Sequence, residues 1–214
     1  MTRRRQHWQT TLIALAALLA LALAAPAAAA SGGKGPKTSV ACPVAGGAQV
    51  VLDPGHGGSD TGAVNTTYGL VEKNLTLDIA FRAQALLQNA GYAVALTRTT
   101  DVDLGNSERG EIANACGAKV FVEIHLNGSS DPSVDYSQTF WGKKNKDLAF
   151  SQTMSGALAS LGIDNHGAGQ FANGGLLQAT MSSTLVEAVF LTNNDEAARL
   201  AAGTRQDEIA RPIT

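Results

Sequence analysis

Residues 51–60 read VLDPGHGGSD, in which a short apolar run ends at Asp53-Pro54 and places His56 among three glycines. The apolar and β-branched residues of Gln49–Leu52 predict a buried strand that stops at this Asp-Pro pair. Glycine permits sharp turns, so the loop can leave the imidazole open to a ligand, an anion or a metal. An ordinary turn with a solvated histidine explains His56 equally well, so residues elsewhere in the chain must distinguish the two.

Segments outside this loop alternate between predicted strands and helices. Further strands are predicted at Tyr92–Leu96, Val120–Ile124, Ser137–Trp141 and Thr184–Leu191, and helices at Glu72–Ala90, Glu108–Cys116, Asp147–Leu161 and from Asn193 or Asn194 through Leu200. This alternation predicts an α/β fold: a single domain with a mostly parallel twisted sheet, helices on both faces and the active site at the strand carboxyl ends. His56 and His125 each follow such an end.

The first thirty residues have the pattern of a secretory signal peptide. Three arginines at 3–5 precede an apolar stretch at 12–25 and small residues at 28–30. The apolar stretch is shorter than the roughly 20 residues that span a membrane, so an uncleaved anchor is the less favoured alternative. We therefore expect an exported protein, extracellular, periplasmic or wall-associated, with a linker or N-terminal segment at 31–48 and one catalytic domain at 49–214.

Net charge limits the classes of binding partner, and the two cysteines indicate a disulfide. The only charged residues among the first 30 are three arginines, so residues 31–214 keep 13 of the 16 Lys and Arg against 18 Asp and Glu, a net charge of −5. This argues against nucleic acid as a partner. Cys42 and Cys116 predict a disulfide in an oxidising compartment, and two unpaired thiols are the alternative. Two cysteines cannot form a structural zinc site by themselves.

Four ionisable residues suggest a metal-assisted hydrolase. Glu187 lies in the apolar run LVEAVFL at 185–191, where a carboxylate is costly to bury without a partner. His56, Glu72 and His125 provide the two imidazoles and one carboxylate of an open catalytic zinc site, and Glu187 could carry protons. A simpler explanation for Glu72 is the preference of acids for helix amino termini.

Two other residues have open roles. Glu123 lies two positions before His125 and shares its face of the strand, so it is either a supporting residue near the site or solvated. His166, in Asn165-His166-Gly167, is a further candidate ligand that a polar turn explains as well. The HExxH helix of many metalloproteases is absent from the sequence.

Six motifs follow one another in an order that resembles a known family. They are VLDPGHGG at 51–58, GLVEK at 69–73, LTR at 96–98, Arg109 with Ala113-Asn114, IHLN at 124–127, and LVE at 185–187 with FLTN at 190–193. The chain resembles the zinc-dependent N-acetylmuramoyl-L-alanine amidases, the type-3 cell-wall amidases, over about residues 49–210. The resemblance implies one zinc on His56, Glu72 and His125, Glu187 as catalytic carboxylate, and peptidoglycan as substrate.

The implied reaction cleaves the amide between the lactyl group of N-acetylmuramic acid and L-alanine. Two departures from the family concern this site. Glu123 replaces a small residue, so its charge could tighten the metal or obstruct substrate, and Leu126–Gln138 is too short for an inhibitory plug helix. The alternatives are an inactive peptidoglycan-binding protein of the same fold and a zinc peptidase or deacetylase of the wall. We expect a monomer, and the sequence leaves open whether a protein activates it.

Overall fold

The structure is a computed structural model and describes residues 40–214. The predicted signal peptide and the first part of the 31–48 segment lie outside the described residues. The strands are β1 Val50–Pro54, β2 Val64–Asn65, β3 Leu70–Val71, β4 Val94–Leu96, β5 Val120–Asn127, β6 Ser137–Trp141, β7 Asn165–Gln170 and β8 Ser182–Phe190. The helices are α1 Glu72–Asn89, α2 Asn106–Ala115, α3 Lys144–Leu158, α4 Gly174–Gln178, α5 Asn194–Ala201 and α6 Arg205–Ala210.

Six strands form one sheet in the order β4-β1-β5-β8-β6-β7. The first four are parallel, β6 pairs antiparallel with β8, and β7 pairs parallel with β6. The remaining two short strands, β2 and β3, form an antiparallel pair of their own. The carboxyl ends of β1, β5 and β8 therefore lie side by side at one edge of the sheet.

Apolar cores lie on both faces of the sheet. On one face, residues of α1, α3, α5 and α6 pack against alternate positions of the strands, among them Leu52, Val122 and Val186. On the other face, α2 and the segment before β1 cover Val51, Ala95 and Phe121. Because adjacent residues of each strand enter opposite cores, the sheet is buried on both faces over its centre. This confirms the predicted α/β architecture.

Helix ends follow the predicted local signals. Glu72 is the first residue of α1, and Gly91, just beyond its end, has a positive φ of 90°. Asn193 caps α5 through its side chain, which accepts hydrogen bonds from the backbone N–H groups of Asp195 and Glu196. Among the described residues, no helix is long and apolar enough to cross a membrane.

Short elements and strand ends differ from the sequence prediction. Strand β5 extends to Asn127, so His125 lies inside the strand and does not follow its end. His166 lies in strand β7, so the polar turn that we considered for this residue is wrong. Strands β2, β3 and β7 and helices α4 and α6 were not predicted, because each has six residues or fewer and little hydrophobic periodicity.

A disulfide joins Cys42 to Cys116, as predicted, with a Cα–Cα distance of 4.7 Å. It links the segment before β1 to the residue that follows α2. Val40, Cys42 and Val44 pack against the core on this face of the sheet. The bridge thus fixes the N-terminal segment to the body of the domain.

Replacing both cysteines with alanine is expected to lower the free energy of unfolding by about 2–4 kcal/mol, because the bridge closes a long loop in the unfolded chain. The cysteines are 74 residues apart in sequence. Urea denaturation of the oxidised wild type and the double variant measures the difference, and the reduced wild type is the matched control. Two alkylatable thiols in the unreduced protein would show that the bridge does not form.

Candidate metal site

The loop after β1 holds His56 in an unusual backbone conformation. His56 has a φ of 62°, the only positive φ of a non-glycine residue in the part of the chain that the structure describes. Two arginine side chains fix the carbonyls of this loop: Arg98 donates to the oxygens of Pro54 and Gly55, and Arg109 to those of Pro54 and His56. Left-handed backbone at a non-glycine residue persists where surrounding contacts enforce it, often at functional sites.

Two glycines of this region are required by close approach of the site residues. A Cβ at Gly55 would lie 2.3 Å from Cε1 of His125, and a Cβ at Gly62 would lie 2.5 Å from Oε2 of Glu72. Both distances are far below van der Waals contact, so any side chain at either position would displace a residue of the cluster. Gly55 is thus required because His125 occupies the space beside it, whereas Gly57 and Gly58 on the other side of His56 face the carbonyl of Val102 and the side chain of Asp103.

His56, Glu72 and His125 come together from three separate elements. Nε2 of His56 lies 2.9 Å from Oε1 of Glu72, and Nδ1 of His125 lies 3.1 Å from both of these atoms. Glu72 is at the start of α1, but its carboxylate turns toward the histidines and accepts hydrogen bonds from the backbone N–H groups of Ala63 and Leu126. Its position is therefore explained by this cluster better than by the helix dipole.

Each imidazole presents one nitrogen to the centre of the cluster. The other ring nitrogen of His56, Nδ1, lies 2.9 Å from Oδ2 of Asp60. A carboxylate on the outer nitrogen fixes the tautomer and ring orientation of a metal-binding histidine. Sequence reasoning missed Asp60; the only available signal was an acid four residues after His56 in the same glycine loop.

The charges of the cluster pair the carboxylate of Glu72 with the imidazolium of His56. Burial alone would raise the pKa of Glu72, but hydrogen bonds from His125 and His56 outweigh it and lower that pKa to about 2. Burial would lower the pKa of His56, but the hydrogen bond and charge of Glu72, and then those of Asp60, raise it to about 9. The arrangement therefore favours positive charge between these side chains.

The donor set fits zinc. The three ligand atoms lie within 4.8 Å of one another. Tetrahedral coordination with bonds of about 2.1 Å places neighbouring ligand atoms about 3.4 Å apart, close to the 2.9–3.1 Å seen here. Two histidines and one glutamate also form the protein ligand set of several catalytic zinc sites, which leave the fourth position open.

Glu187 adjoins the cluster on β8. It is the register neighbour of His125 on one side and of Gln138 on the other. The residue is half-buried, but its Oε2 is shielded from solvent and has no hydrogen-bond partner among the described residues. Burial raises the pKa of Glu187 to about 7, against the opposing effect of His125. A carboxyl group with this pKa can both accept and release a proton near neutral pH.

Glu123 is buried, so the solvated alternative for it is wrong. Its side chain is 1% exposed, and its Oε1 would lie 2.3 Å from a Cβ placed on Gly175 of α4. Burial, followed by the nearby charge of Asp53, raises its pKa well above the usual range. It lies in the protein interior, two residues before His125 on β5.

His166 is separate from the histidine cluster. Its ring stacks on Tyr136 with centroids 3.7 Å apart. The grouping of His, Cys, Asp and Glu side chains that could hold a metal contains His56, Glu72 and His125, and does not include His166. Of the candidate residues, the structure therefore unites the three predicted ligands with Glu187 beside them.

Comparison with known proteins agrees with this geometry. Residues 50–214 match the family model described as N-acetylmuramoyl-L-alanine amidase. The chain is 33% identical over 172 residues to the N-acetylmuramoyl-L-alanine amidase LytC of Bacillus subtilis, which covers 78% of this chain and 34% of LytC. It is 32% identical over 184 residues to the germination-specific N-acetylmuramoyl-L-alanine amidase of the same organism, covering 78% of this chain and 77% of that one. The chain thus spans about a third of the first relative and most of the second.

Solved structures give the same grouping. The catalytic domain of the amidase CwlV from Bacillus (Paenibacillus) polymyxa var. colistinus superimposes with a TM-score of 0.72 at 30% identity, covering 77% of this chain and 92% of that one. The CwlD amidase from Clostridioides difficile, solved in complex with the GerS lipoprotein, gives a TM-score of 0.71 at 30% identity, covering 77% and 93%. Fold, ordered motifs and family match agree, and the chain belongs to the N-acetylmuramoyl-L-alanine amidase family.

Proposed function

We propose that this protein is a zinc-dependent amidase that releases the stem peptide from peptidoglycan. The bond cleaved is the amide between the lactyl group of N-acetylmuramic acid and L-alanine. The observation that carries the proposal is the His56, Glu72 and His125 cluster with an unpartnered carboxylate oxygen of Glu187 beside it. Membership of the amidase family supports the choice of substrate.

His56, Glu72 and His125 would hold one zinc ion per chain. A zinc ion bound there supplies Lewis acidity, which polarises the amide carbonyl and makes water a better nucleophile at neutral pH. Asp60 and the backbone N–H groups of Ala63 and Leu126 would hold the ligands in orientation through their outer atoms.

Glu187 would move the protons of the reaction. Water attacks the carbonyl carbon, a C–O bond forms, and Oε2 of Glu187 accepts the proton that the water loses. The same carboxyl then donates this proton to the amide nitrogen as the C–N bond breaks, because an unprotonated amine is a poor leaving group. The products are the lactyl carboxylic acid on the glycan, which then ionises, and a stem peptide with a free L-alanine amine that takes up the released proton.

Export would bring the protein to this substrate. The pattern of residues 1–30 supports an exported chain, and peptidoglycan lies outside the cytoplasmic membrane. We accordingly infer that the protein acts in remodelling or lysis of the wall as a monomer.

Chelation of the purified protein is expected to abolish release of stem peptides from peptidoglycan, and zinc is expected to restore it, because the proposed ligand set depends on a metal to activate water. Product analysis by mass spectrometry identifies the bond. Stem peptides with a free L-alanine amine support the amidase. A new amine on the glycan indicates a deacetylase, a cut within the stem indicates a peptidase, and bound zinc without release indicates a binding protein.

A further inference from the structure

The sheet face that carries Glu187 continues outward across β6 and β7. Gln138 is the cross-strand neighbour of Glu187, and Phe140 is that of Leu185. Ser137 and Thr139 point the other way and are fully buried, whereas Gln138 and Phe140 remain half-buried. Helix α3 covers the buried face, since the hydroxyl of Thr139 donates to the carbonyl of Ser151. The face beside the proposed catalytic carboxylate is therefore open.

Aromatic rings flank Gln138 on this face. On one side Tyr136 stacks on His166 at 3.7 Å and contacts Phe190 at 4.6 Å. On the other side the rings of Phe140 and Phe171 lie 5.7 Å apart, and Phe171 is 51% exposed. We call this surface the aromatic strip; it consists of Tyr136, Gln138, Phe140, His166 and Phe171.

Gly169 leaves room for the side chains of Phe140 and Gln138 to lie across the backbone of β7. A Cβ at this position of β7 would lie 3.1 Å from Cε1 of Phe140 and 3.2 Å from Nε2 of Gln138. Both distances are tighter than ordinary contact, so a side chain at 169 would push these two groups away. Gly169 has no positive φ, so its backbone conformation does not demand glycine. A glycine inside a strand that serves close approach is typical of a place where side chains or ligands lie across the backbone.

The aromatic strip differs in charge from the opposite side of the site. Its five residues include no Asp, Glu, Lys or Arg. Around the glycine loop, by contrast, Lys73 pairs with Asp101 at 2.7 Å, and Asp103 accepts hydrogen bonds from Ser59. A stem peptide carries carboxylates, whereas the glycan of peptidoglycan consists of N-acetyl sugars whose muramic carboxyl is amidated in the substrate. An uncharged aromatic surface suits the glycan better, because placing a carboxylate there would desolvate it without a cation.

We propose that the aromatic strip binds the glycan, with sugar rings of the strand stacking on Tyr136 and Phe171 on either side of Glu187. The proposal rests on the proposed amidase function, which supplies the identity of the polymer. Aromatic faces contact the apolar C–H faces of pyranose rings, and the Gln138 amide can hydrogen-bond acetamido and hydroxyl groups between them. Tyr136 directly precedes β6 and Phe140 lies four residues later within it, a separation of about 13 Å of extended chain. This length exceeds one sugar ring, so the strip favours a chain over a single sugar.

A binding experiment without any peptide tests the aromatic strip independently of catalysis. The probe is the tetramer of N-acetylglucosamine, titrated calorimetrically into the full chain. Phe171→Ala and, separately, Tyr136→Ala are expected to weaken its affinity about tenfold, the effect of losing one well-packed aromatic contact. Phe81→Ala is the matched control, because Phe81 is 41% exposed on α1 and lies outside the strip. Its affinity for the tetramer is expected to equal that of the wild type.

Kinetics on two substrates give a second readout. Phe171→Ala is expected to raise KM about tenfold for a glycan chain bearing stem peptides, and to lower kcat/KM by a smaller factor for a single muramic acid bearing the same peptide. No tetramer binding by the wild type, or equal binding by Phe171→Ala, overturns the glycan proposal. The proposal is also overturned if the loss of kcat/KM in Phe171→Ala depends on the length of the stem peptide and not on the length of the glycan. If the wild type binds the tetramer but cleaves no muropeptide, the amidase function fails and the aromatic strip stands.

Discussion

The Glu187→Gln protein is expected to bind zinc as the wild type does and to hydrolyse peptidoglycan at least about 100-fold more slowly, the contribution typical of a general acid–base group. Glutamine keeps the shape of the side chain but cannot accept the proton of the attacking water. Glu187 is not one of the three grouped ligands, so the substitution leaves the cluster intact. Zinc content by mass spectrometry and kcat for peptide release are measured on the same preparation.

Glu111→Gln is the matched control for this substitution. Glu111 lies on α2 and its carboxylate accepts a hydrogen bond from Gln178 at 3.4 Å, away from the cluster. Its zinc content and kcat are expected to match those of the wild type. If Glu187→Gln keeps near-normal kcat, another group carries the protons; if it loses zinc, Glu187 is a ligand.

The His56→Ala protein is expected to lose both zinc and turnover. Removing one of three protein ligands leaves two donors, too few to hold zinc in a catalytic site that already has one open position. The lost imidazole also leaves the carboxylate of Glu72 buried without one of the two partners that hold its pKa at about 2. Metal content after dialysis and peptide release measured together are expected to fall to background.

Three further variants test whether the loss of zinc in His56→Ala is due to the missing ligand. His56→Gly removes the ligand without strain, because glycine tolerates the φ of 62° at this position, and it is expected to behave as His56→Ala does. His166→Ala is expected to retain one zinc per chain. Asp60→Asn is expected to weaken zinc affinity about 10- to 100-fold, in line with the loss of a carboxylate behind a ligating histidine. A full zinc complement in His56→Ala would show that the ligand assignment is wrong.

The two main variants give opposite patterns of metal retention. Loss of turnover with zinc retained marks the proton carrier, whereas loss of both marks a ligand. A protein that merely binds peptidoglycan would show no change in turnover, because it would have none to lose. The pair therefore tests the roles and the enzymatic function together.

Local patterns in the sequence were enough for the architecture and for the four candidate residues. Alternating apolar runs and helical periodicity predicted the sheet and its main helices, because both depend on which faces are buried. The glycine loop around His56 and the carboxylate of Glu187 within an apolar run could be recognised from the sequence alone, since each departs from the local pattern around it. The presence of two cysteines in a chain expected to be exported also predicted their bridge.

Tertiary structure alone decided how distant segments meet. Asp60 became a partner of His56 only once the loop had closed, and Glu123 proved to be buried because α4, which has too few residues to give a periodic signal, packs beside it. The antiparallel insertion of β6 next to β8 brought Gln138 opposite Glu187 and created the aromatic strip. A period of two or 3.6 residues identifies the buried face of an element, but the neighbour across that face depends on strand order, which the sequence pattern does not contain.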